Sequence, residues 1–332
     1  IIAFRAVGGS FSIPELMGQG FSDSFQRWTF LAFFLAFAIK VPMFPFHTWL
    51  PAAHVQAPSA GSVILAAVLL KMGTYGFMRF CLGLTPEASQ FFAPMMIALS
   101  VISILYGGLT ALGQTDLKRM VAYSSVGHMG FVTLGIFMFN IQGLAGALLQ
   151  MLNHGITTGA LFIMLGLAYE RSHSREMADH QGMGKYLPAF MGMWGLFAMS
   201  SLAFPGTNSF VGELLVLTGA FSANLWAAFL SIPGAMLAAA YMLRATRTMA
   251  WGAPSTAKNW ADLNRREWAT LIPLAALVLY LGFAPGLALR TIEPSLARLL
   301  AGVNKPQAAE RLTTQAAPPA PRPASPIVAE VN

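Results

Sequence analysis

The chain has 332 residues, of which 56% are hydrophobic and only 10% are charged. Because soluble domains carry about 25% charged residues, this composition excludes a soluble globular protein and indicates a polytopic membrane protein. The net charge of +7 does not indicate nucleic-acid binding, since the basic residues lie in loops between apolar runs, and the single cysteine, Cys81, rules out a disulfide framework and a cysteine metal site.

The beginning of the chain differs from the rest. It starts Ile-Ile rather than with Met and shows no signal peptide, so we interpret it as a fragment that lacks an N-terminal part. Residues 1–26 are read as an extramembrane loop or the end of a preceding span. The apolar runs begin near Trp28.

About 20 apolar residues cross a bilayer, and on that measure we count eight spans. The predicted fold is therefore an all-α, polytopic transmembrane helix bundle. The predicted spans are 27–45, 60–81, 91–113, 119–139, 142–169, 188–222, 225–248 and 268–289.

The first span ends in Lys40, which is followed by Pro42, Pro45 and Pro51. A lysine at mid-membrane costs at least about 2.5–3.5 kcal/mol, and a proline in a helix interior costs roughly 3 kcal/mol. Their combination predicts a broken helix that lines a polar cavity, as in transporters. The alternative is that Lys40 snorkels to the membrane interface, although the apolar residues continue beyond it.

Lys71 lies near the middle of the second span, between GSVILAAVLL and MGTYGFM. Ionisable residues inside a membrane are rare, and a functional role is the default interpretation. Here the role would be to take up and release a proton as neighbouring charges change. A permanent structural ion pair is the alternative.

Two histidines fall inside later spans. His128 has Ser124 one turn before it, and His154 has Gln150 and Thr158 one turn on either side. Histidine titrates near neutrality, which suits a proton relay. The alternatives are a hydrogen-bonded packing histidine at 128 and a polar stripe that joins helices at 154.

Glu213 follows a second break signal, Pro205-Gly206. In this element the break precedes the charge, whereas in the first element Lys40 precedes the prolines. This reversed order hints at an inverted repeat of the kind found in transporters. Two spans must share the stretch 188–243, in which Glu213 is the one charged residue, and we place their turn near 222–224.

Basic residues cluster after the third, fifth and seventh spans, so the positive-inside rule predicts that the odd-numbered spans end on the cytoplasmic side. The connection 47–60 is then cytoplasmic and the C-terminal tail lies outside. The tail, 302–332, is rich in Ala and Pro and is expected to be extended or disordered. His47 and His54 are a weak candidate for a metal pair because Pro51 lies between them, and the sequence contains no nucleotide, flavin or iron–sulfur motif.

Several stretches resemble the antiporter-like subunits of respiratory complex I, the proton-pumping NADH–quinone oxidoreductase. The resemblance extends from about Phe33 to Ala250, and AYERSHSRE favours the M-type branch of that family. The other stretches that carry it are KVPMFPFHTWLPAAHVQAPSAGSVILAAVLLK, QTDLKRMVAYSSVGHMGF, NHGITTGALFI and FPGTNSFVGE.

The resemblance implies inverted five-helix repeats, each with one broken helix. Residues 27–83 would then be the end of the first repeat, 91–250 the second repeat, and 268–289 an additional span. The family also has a glutamate that pairs with the first lysine and would lie before this chain begins, and it usually reads HTWLPDAH where this chain has Ala52.

The resemblance also implies a proton-transfer axis, whose residues would be Lys40, Lys71, His128, His154 and Glu213. The chain would translocate protons in a bacterial inner membrane beside L- and N-type subunits, driven by quinone reduction elsewhere in the complex. It would hold no cofactor or metal itself, since NADH, FMN, iron–sulfur clusters and quinone would be on partner subunits. The alternatives are a cation/proton antiporter subunit of the Mrp type and a purely architectural membrane subunit.

Overall fold

A computed structural model describes residues 9, 11–17, 21–253 and 260–316, with side chains up to residue 304. The regular secondary structure of these residues is helical, and no strand is found among them, which confirms the all-α fold. Residues 1–8, 10 and 18–20 of the predicted N-terminal loop and the end of the predicted tail, 317–332, lie outside the described residues.

Eleven helices in the described part organise the bundle, and they are numbered here in chain order, leaving out the shortest turns. They are α1 Asp23–Lys40, α2 Trp49–Gln56, α3 Ser59–Leu82, α4 Ala93–Leu112, α5 Leu117–Ile136, α6 Ile141–Ser172, α7 Pro188–Ser201, α8 Asn208–Ala223, α9 Leu225–Ala250, α10 Arg265–Phe283 and α11 Gly286–Ala316.

Five of these helices, α3, α4, α6, α9 and α10, are long and apolar enough to cross a membrane. Such helices make the chain a multi-pass membrane protein. The count of eight spans stays a prediction, because α1 carries three charged residues, α5 is more polar, and α7 and α8 are each shorter than one crossing.

The first predicted break lies between α1 and α2. Lys40 is the last residue of α1, so the helix ends before residue 45, the predicted limit of the span, and it also begins earlier, at Asp23. The break is held by side chains: Trp49 Nε1 donates to the carbonyl oxygen of Ile39 at 2.9 Å, and the backbone N–H of Phe44 donates to Ser103 Oγ at 3.0 Å. These bonds satisfy groups that the interrupted helix leaves without helical partners.

The second break divides the predicted span 188–222 into α7 and α8. Gly206 lies in the break with φ +94°, a conformation that disfavours any residue with a Cβ atom. Gly282 of α10 packs directly against the Gly206 carbonyl, and a Cβ atom there would overlap it. The turn after α8 is where the sequence predicts it, since Asn224 caps α9 by accepting from the N–H of Ala227 at 3.0 Å.

Helix α3 is not a regular α-helix along its whole length. Two π-helical segments, Leu65–Leu69 and Phe77–Leu82, lie on either side of Lys71. π-Helical turns are rare and occur frequently at functional sites, because they redirect side chains and loosen the backbone ladder.

Helices α5 and α6 form the centre of the bundle, and nearly every residue of α5 is buried. Helix α8 lies very close to α6 because glycines line the contact: a Cβ on Gly146 would approach the backbone nitrogen of Val216 to 2.6 Å, and one on Gly219 would approach that of Gly143 to 2.5 Å. Small residues allow this close approach, which is how membrane helices associate without a hydrophobic driving force. This packing sets the position of Glu213 against α6.

The C-terminal region differs from its prediction. The predicted span 268–289 is wrong at its end, because α10 stops at Phe283; Pro285 disfavours helical geometry in Ala284, which has φ −131°. A further helix, α11, then runs from Gly286 to Ala316, so the part of the predicted extended tail from 302 to 316 is helical. Its Ala, Leu and Arg residues are good helix formers, and low hydropathy does not prevent a segment from being helical.

The basic loops meet on one face of the bundle, here called the basic face. Among the described residues it is formed by 113–117, 173–187, 251–253 and 260–264 together with the C-terminal end of α2. Hydrogen bonds join these segments: Arg175 donates to the carbonyl oxygen of Val55 at 2.8 Å, and Arg171 donates to that of Ala261 at 2.8 Å. The grouping agrees with the charge asymmetry of the sequence, while the cytoplasmic assignment of this face stays a prediction.

Candidate functional site

Four of the five predicted site residues lie together in the middle of the bundle, on four different helices. The first contact joins α3 to α6: Lys71 Nζ lies 2.6 Å from His154 Nδ1 and also donates to the carbonyl oxygen of Ala66 at 2.5 Å. Ala66 belongs to the first π-helical segment, so the irregular turn supplies an acceptor for the lysine.

The second contact joins α5 to α8. His128 Nδ1 lies 3.0 Å from Glu213 Oε1, and Gln150 Nε2 donates to the same oxygen at 3.1 Å. Both members of the His128–Glu213 pair are about 5% exposed. A carboxylate at this depth needs partners, and the imidazole N–H and the amide supply them.

The rings of the two histidines connect these contacts. Their centroids lie 5.7 Å apart at an interplanar angle of 64°. The order in space is therefore Lys71, His154, His128, Glu213, and we call these four residues the central file. The order along the chain, in which His128 precedes His154, is reversed because α6 lies between α3 and α5.

Several polar atoms along the central file are buried and have no hydrogen-bond partner within the described residues: His154 Nε2, Gln150 Oε1 and Asn153 Oδ1. Buried polar groups are nearly always hydrogen-bonded, to protein or to water. These unpartnered atoms belong to α6, the helix that carries His154, and they add polar groups to the interior of the bundle.

Tyr241 of α9 also contacts the central file, although it is not among the residues predicted from the sequence. Its hydroxyl lies 3.3 Å from His128 Nε2, and the whole residue is 3% exposed. With Nδ1 donating to Glu213, Nε2 of a neutral His128 accepts from the tyrosine, so the two partners together fix the tautomer. In the sequence, Tyr241 is a single aromatic residue in an apolar helix three residues before Arg244, and nothing there indicates this role.

Lys40, the fifth predicted residue, is not in the central file. It is half-buried at the end of α1, and its Cβ lies 3.1 Å from where a Cβ on Gly73 would be, so α1 meets α3 just past Lys71. Within the described residues no side-chain hydrogen bond or ion pair engages it. Its predicted role in proton transfer stays a prediction.

Two further residues connect the central file towards the basic face. His54 of α2 is fully buried, stacks on Phe162 at 4.4 Å, and has neither ring nitrogen hydrogen-bonded within the described part of the chain. It interacts electrostatically with both His154 and Lys118, and Lys118 bonds to the carbonyl oxygen of Ala57 just after His54 in the chain. From the sequence, His54 is a candidate only for a metal pair with His47, because its burial is a property of the folded chain.

Lys118 begins α5 at the basic face and is 6% exposed. Its Nζ donates to the carbonyl oxygen of Ala57 at 3.4 Å, close to the C-terminal end of α2, where a positive charge is favourable. Lys118, His54 and His154 thus form a branch between the basic face and the central file.

Lys71 also borders a cavity of about 530 Å³ between α3 and α6, lined almost entirely by apolar side chains such as Tyr75, Met151 and Leu274. This cavity explains why the lysine is only half-buried although its ammonium group is held by protein atoms. Within the described residues no group of three or more His, Cys, Asp or Glu side chains is arranged to hold a metal ion.

The model of the family described as "NADH:quinone oxidoreductase/Mrp antiporter, TM" matches residues 1–238. The chain is 48% identical over 290 residues to NADH-quinone oxidoreductase subunit M of Rhodobacter capsulatus, covering 87% of this chain and 57% of that relative. It is 45% identical to NADH-ubiquinone oxidoreductase chain 4 of Chondrus crispus, covering 84% and 57%. The chain therefore spans somewhat more than half the length of these curated relatives.

Solved structures share the fold. A chain of respiratory complex I from Thermus thermophilus with bound NADH superposes with a TM-score of 0.84 at 31% identity, covering 90% of this chain and 65% of that one. A chain of the Mrp complex from Dietzia sp. DQ12-45-1b superposes with a TM-score of 0.81 at 21% identity, covering 93% and 65%. At that identity the second likeness concerns the fold alone.

These findings confirm the resemblance drawn from the motifs, and they agree with a multi-pass protein of the bacterial inner membrane. The family model covers more than half of the residues, and its matched region contains the whole central file. The chain belongs to the NADH:quinone oxidoreductase/Mrp antiporter transmembrane family.

Proposed function

We propose that this chain is part of a proton-translocating membrane subunit of a proton-pumping NADH–quinone oxidoreductase. The observation that carries the proposal is the central file: a lysine, two histidines and a glutamate from four helices, joined by contacts of 2.6, 5.7 and 3.0 Å inside an apolar bundle. Ionisable groups in a membrane interior are expensive and mark ion pathways.

In this proposal a proton moves along the file by exchange between neighbouring groups. Lys71 transfers a proton from Nζ to His154 Nδ1, and His154 releases one from Nε2. No hydrogen bond joins the two rings within the described residues, so in this proposal a water bonded to the unpartnered His154 Nε2 carries the proton to His128. His128 then protonates Glu213 through its bond to Oε1.

Each transfer is reversible, so an external change of charge must set the direction. A charge that appears within about 4–6 Å of a titratable group can shift its pKa by 1–3 units, which is enough to load or unload it. In the proposal that change comes from quinone reduction on partner subunits and reaches the file through Lys40. The chain itself has no redox role and holds no cofactor or metal, and L- and N-type antiporter-like subunits are its neighbours.

The Lys118–His54 branch supplies the file with protons from the basic face. This step is supported by the bond from Lys118 to the Ala57 carbonyl oxygen and by the electrostatic interaction of His54 with both Lys118 and His154. Both nitrogens of His54 are free within the described residues to bond water or a proton carrier. Tyr241 is a positioning residue, because it holds the tautomer of His128.

The test is Lys71→Ala in the full-length protein, within the assembled complex. Proton pumping per NADH oxidised is expected to fall by at least about tenfold, since the loss of a proton-transferring group commonly costs a factor of about 10² or more. Met72→Ala, on the lipid-exposed side of the same helix, is the matched control and keeps full pumping.

Full pumping by an assembled Lys71→Ala complex would rule out this role for Lys71. Loss of pumping with assembly intact would instead exclude the purely architectural function. The second candidate, a cation/proton antiporter subunit of the Mrp type, is favoured by the family description and by the shared fold; it predicts sodium-dependent transport.

A further inference from the structure

A cluster of cationic and aromatic side chains on the basic face is not used by the central file. It lies where the C-terminal end of α9 meets the short helical turn Met183–Tyr186. The backbone N–H of Gly182 donates to the carbonyl oxygen of Trp251 at 3.2 Å, so the two segments are joined directly. A Cβ on Gly184 would lie 2.7 Å from the carbonyl oxygen of Ala250, so they are also closely packed.

Two cavities flank Trp251 at this junction. One, of about 360 Å³, is lined by Arg244, Arg247 and Thr248 from α9, with Trp251 as its wall. The other, of about 380 Å³, is lined by Lys185 and Tyr186, by Trp251 and by neighbouring small residues. Each cavity therefore has at least one cationic side chain, and Trp251 lines both.

Among the residues that the structure describes, no Asp or Glu lines either cavity, so no described acidic group balances their charge. Arg244 is partly engaged, since it donates to the carbonyl oxygen of Leu112 at the end of α4, which fixes its guanidinium group at the cavity wall. Arg247 and Lys185 are exposed and form no ion pair within the described residues.

The depth of the cluster in the membrane follows from α9. Residues 225–243 contain no charged residue, and at 1.5 Å per residue they span about 28 Å, close to the hydrocarbon thickness of about 30 Å. Arg244, Arg247 and Trp251 therefore come at the level of the lipid headgroups. Trp251 is 68% exposed, as suits a residue whose ring lies in the interface.

We propose that these two cavities bind the phosphate groups of anionic phospholipids, with Trp251 packed between the headgroups. Arg247 with Arg244 holds one phosphate and Lys185 holds the other. Arginine binds phosphate through paired N–H donors, and basic pockets between membrane helices on this kind of face suit lipid phosphates. The site is independent of the central file, so its test does not depend on pumping.

The experiment uses the full-length protein in the assembled complex, reconstituted with a photoreactive phosphatidylglycerol, and peptide mapping of the labelled residues. Labelling is expected in peptides that contain 181–186 and 244–252. The double variant Arg247→Gln/Lys185→Gln is expected to lower it at least about tenfold, because each basic group near the surface contributes to anionic-lipid attraction. Arg119→Gln removes an exposed charge from the same face outside the cavities and keeps full labelling.

Competition on the unmodified complex gives a second readout that does not require any variant to assemble. Unlabelled phosphatidylglycerol is expected to displace the probe, and phosphatidylcholine is not. Equal displacement by phosphatidylcholine, or unchanged labelling of the double variant, would overturn the proposal. Displacement by millimolar inorganic phosphate would overturn it in favour of a small-anion site, and absence of labelling in these peptides would overturn it outright.

Discussion

At the scale of single residues, the buried polar groups of the central file serve as hydrogen-bond partners for their neighbours. Glu213 is 4% exposed and has two partners on one oxygen, His128 and Gln150. Removing one member of such a pair leaves an uncompensated buried group and is strongly destabilising. Tests of the file therefore need readouts of assembly beside those of transport.

A packing role and a proton-transfer role for His54 predict different effects of the substitution His54→Phe on proton pumping. In His54→Phe, the stacking on Phe162 is kept and no hydrogen bond is lost within the described residues. The complex is therefore expected to be as stable as the native one or more stable, because an unpaired buried polar group costs about 1–3 kcal/mol. Pumping is expected to fall at least about tenfold, as for the loss of another proton-transferring group.

The measurements are the melting temperature of the purified complex and the pumping rate in proteoliposomes. His173→Phe serves as the control, since His173 is an exposed histidine on the same face. If His54→Phe pumps at the native rate, His54 is a packing residue and the branch through it does not exist.

The surroundings of His180, in the loop between α6 and α7, predict that the stability of this loop depends on pH. Its Nδ1 donates to the carbonyl oxygen of Glu176 at 2.8 Å, and Ser172 Oγ lies 3.0 Å from Nε2. Burial lowers the pKa of His180 below 6.5, and the carbonyl of Glu176 and the charge of Asp179 offset this only in part.

Because the pKa is lower in the folded loop than in the unfolded one, the loop is fully stabilised by neutral His180 above pH 6.5 and loses this stabilisation as the pH falls below it. Cleavage of the loop 173–187 by a protease is expected to be several-fold faster at pH 5.5 than at pH 7.5. His180→Asn should lose this difference and His173→Asn should keep it. An equal response of all three proteins would contradict the assignment.

At the scale of helices, the two breaks and the two π-helical segments place the charged residues. Each break ends a helix where backbone groups would otherwise be unpaired, and side chains such as Trp49 and Ser103 satisfy them. The π-helical segments of α3 leave the carbonyl oxygen of Ala66 available to Lys71. At the first break and at the first π-helical segment, the irregular backbone therefore has polar partners, as membranes require.

The packing at the second break predicts that substitution by alanine changes the stability of the protein differently at Gly282 and at Gly195. Gly282→Ala in α10 should destabilise the protein by about 1–3 kcal/mol, because its Cβ would overlap the carbonyl of Gly206 and overpacking of that size cannot relax. In α7, Gly195→Ala should be neutral or stabilising by up to about 1 kcal/mol, since nothing lies within 4 Å of its Cβ position.

Thermal unfolding of the detergent-solubilised protein measures both variants. The comparison is matched because each glycine is helical and each substitution adds one methyl group. Equal melting temperatures for the two variants would show that α10 does not pack on the break.

At the scale of the whole molecule, the bundle is asymmetric in charge, with the basic loops on one face and the central file halfway across. The ion that moves is the property that decides between the two candidate functions. We expect the pumping rate of the assembled complex to change by less than about twofold when sodium is replaced by potassium, because the file consists of groups that exchange protons and lacks the oxygen cage that a hard cation takes. Sodium-dependent transport would favour the antiporter reading.

The sequence alone was enough to find the ionisable residues and both helix breaks. Lys71 and Glu213 stood out because charges are rare in apolar runs, and the breaks stood out because proline and glycine interrupt helices; these are local properties of the chain. The predicted end of α10 was wrong, and α11 was not predicted at all. A helix with as many polar residues as α11 does not stand out in a hydropathy pattern.

The order Lys71–His154–His128–Glu213, the partners Tyr241 and Gln150, and the buried His54 depended on how helices pack. The hydrophobic periodicity of one helix does not reveal how α6 is rotated relative to α5. That rotation depends on contacts between the helices, such as the close approach of Gly135 to Gly143. The sequence by itself determined that titratable groups are buried in the membrane. Only the tertiary structure decided which of them touch, since contact between residues on different helices depends on the register of both.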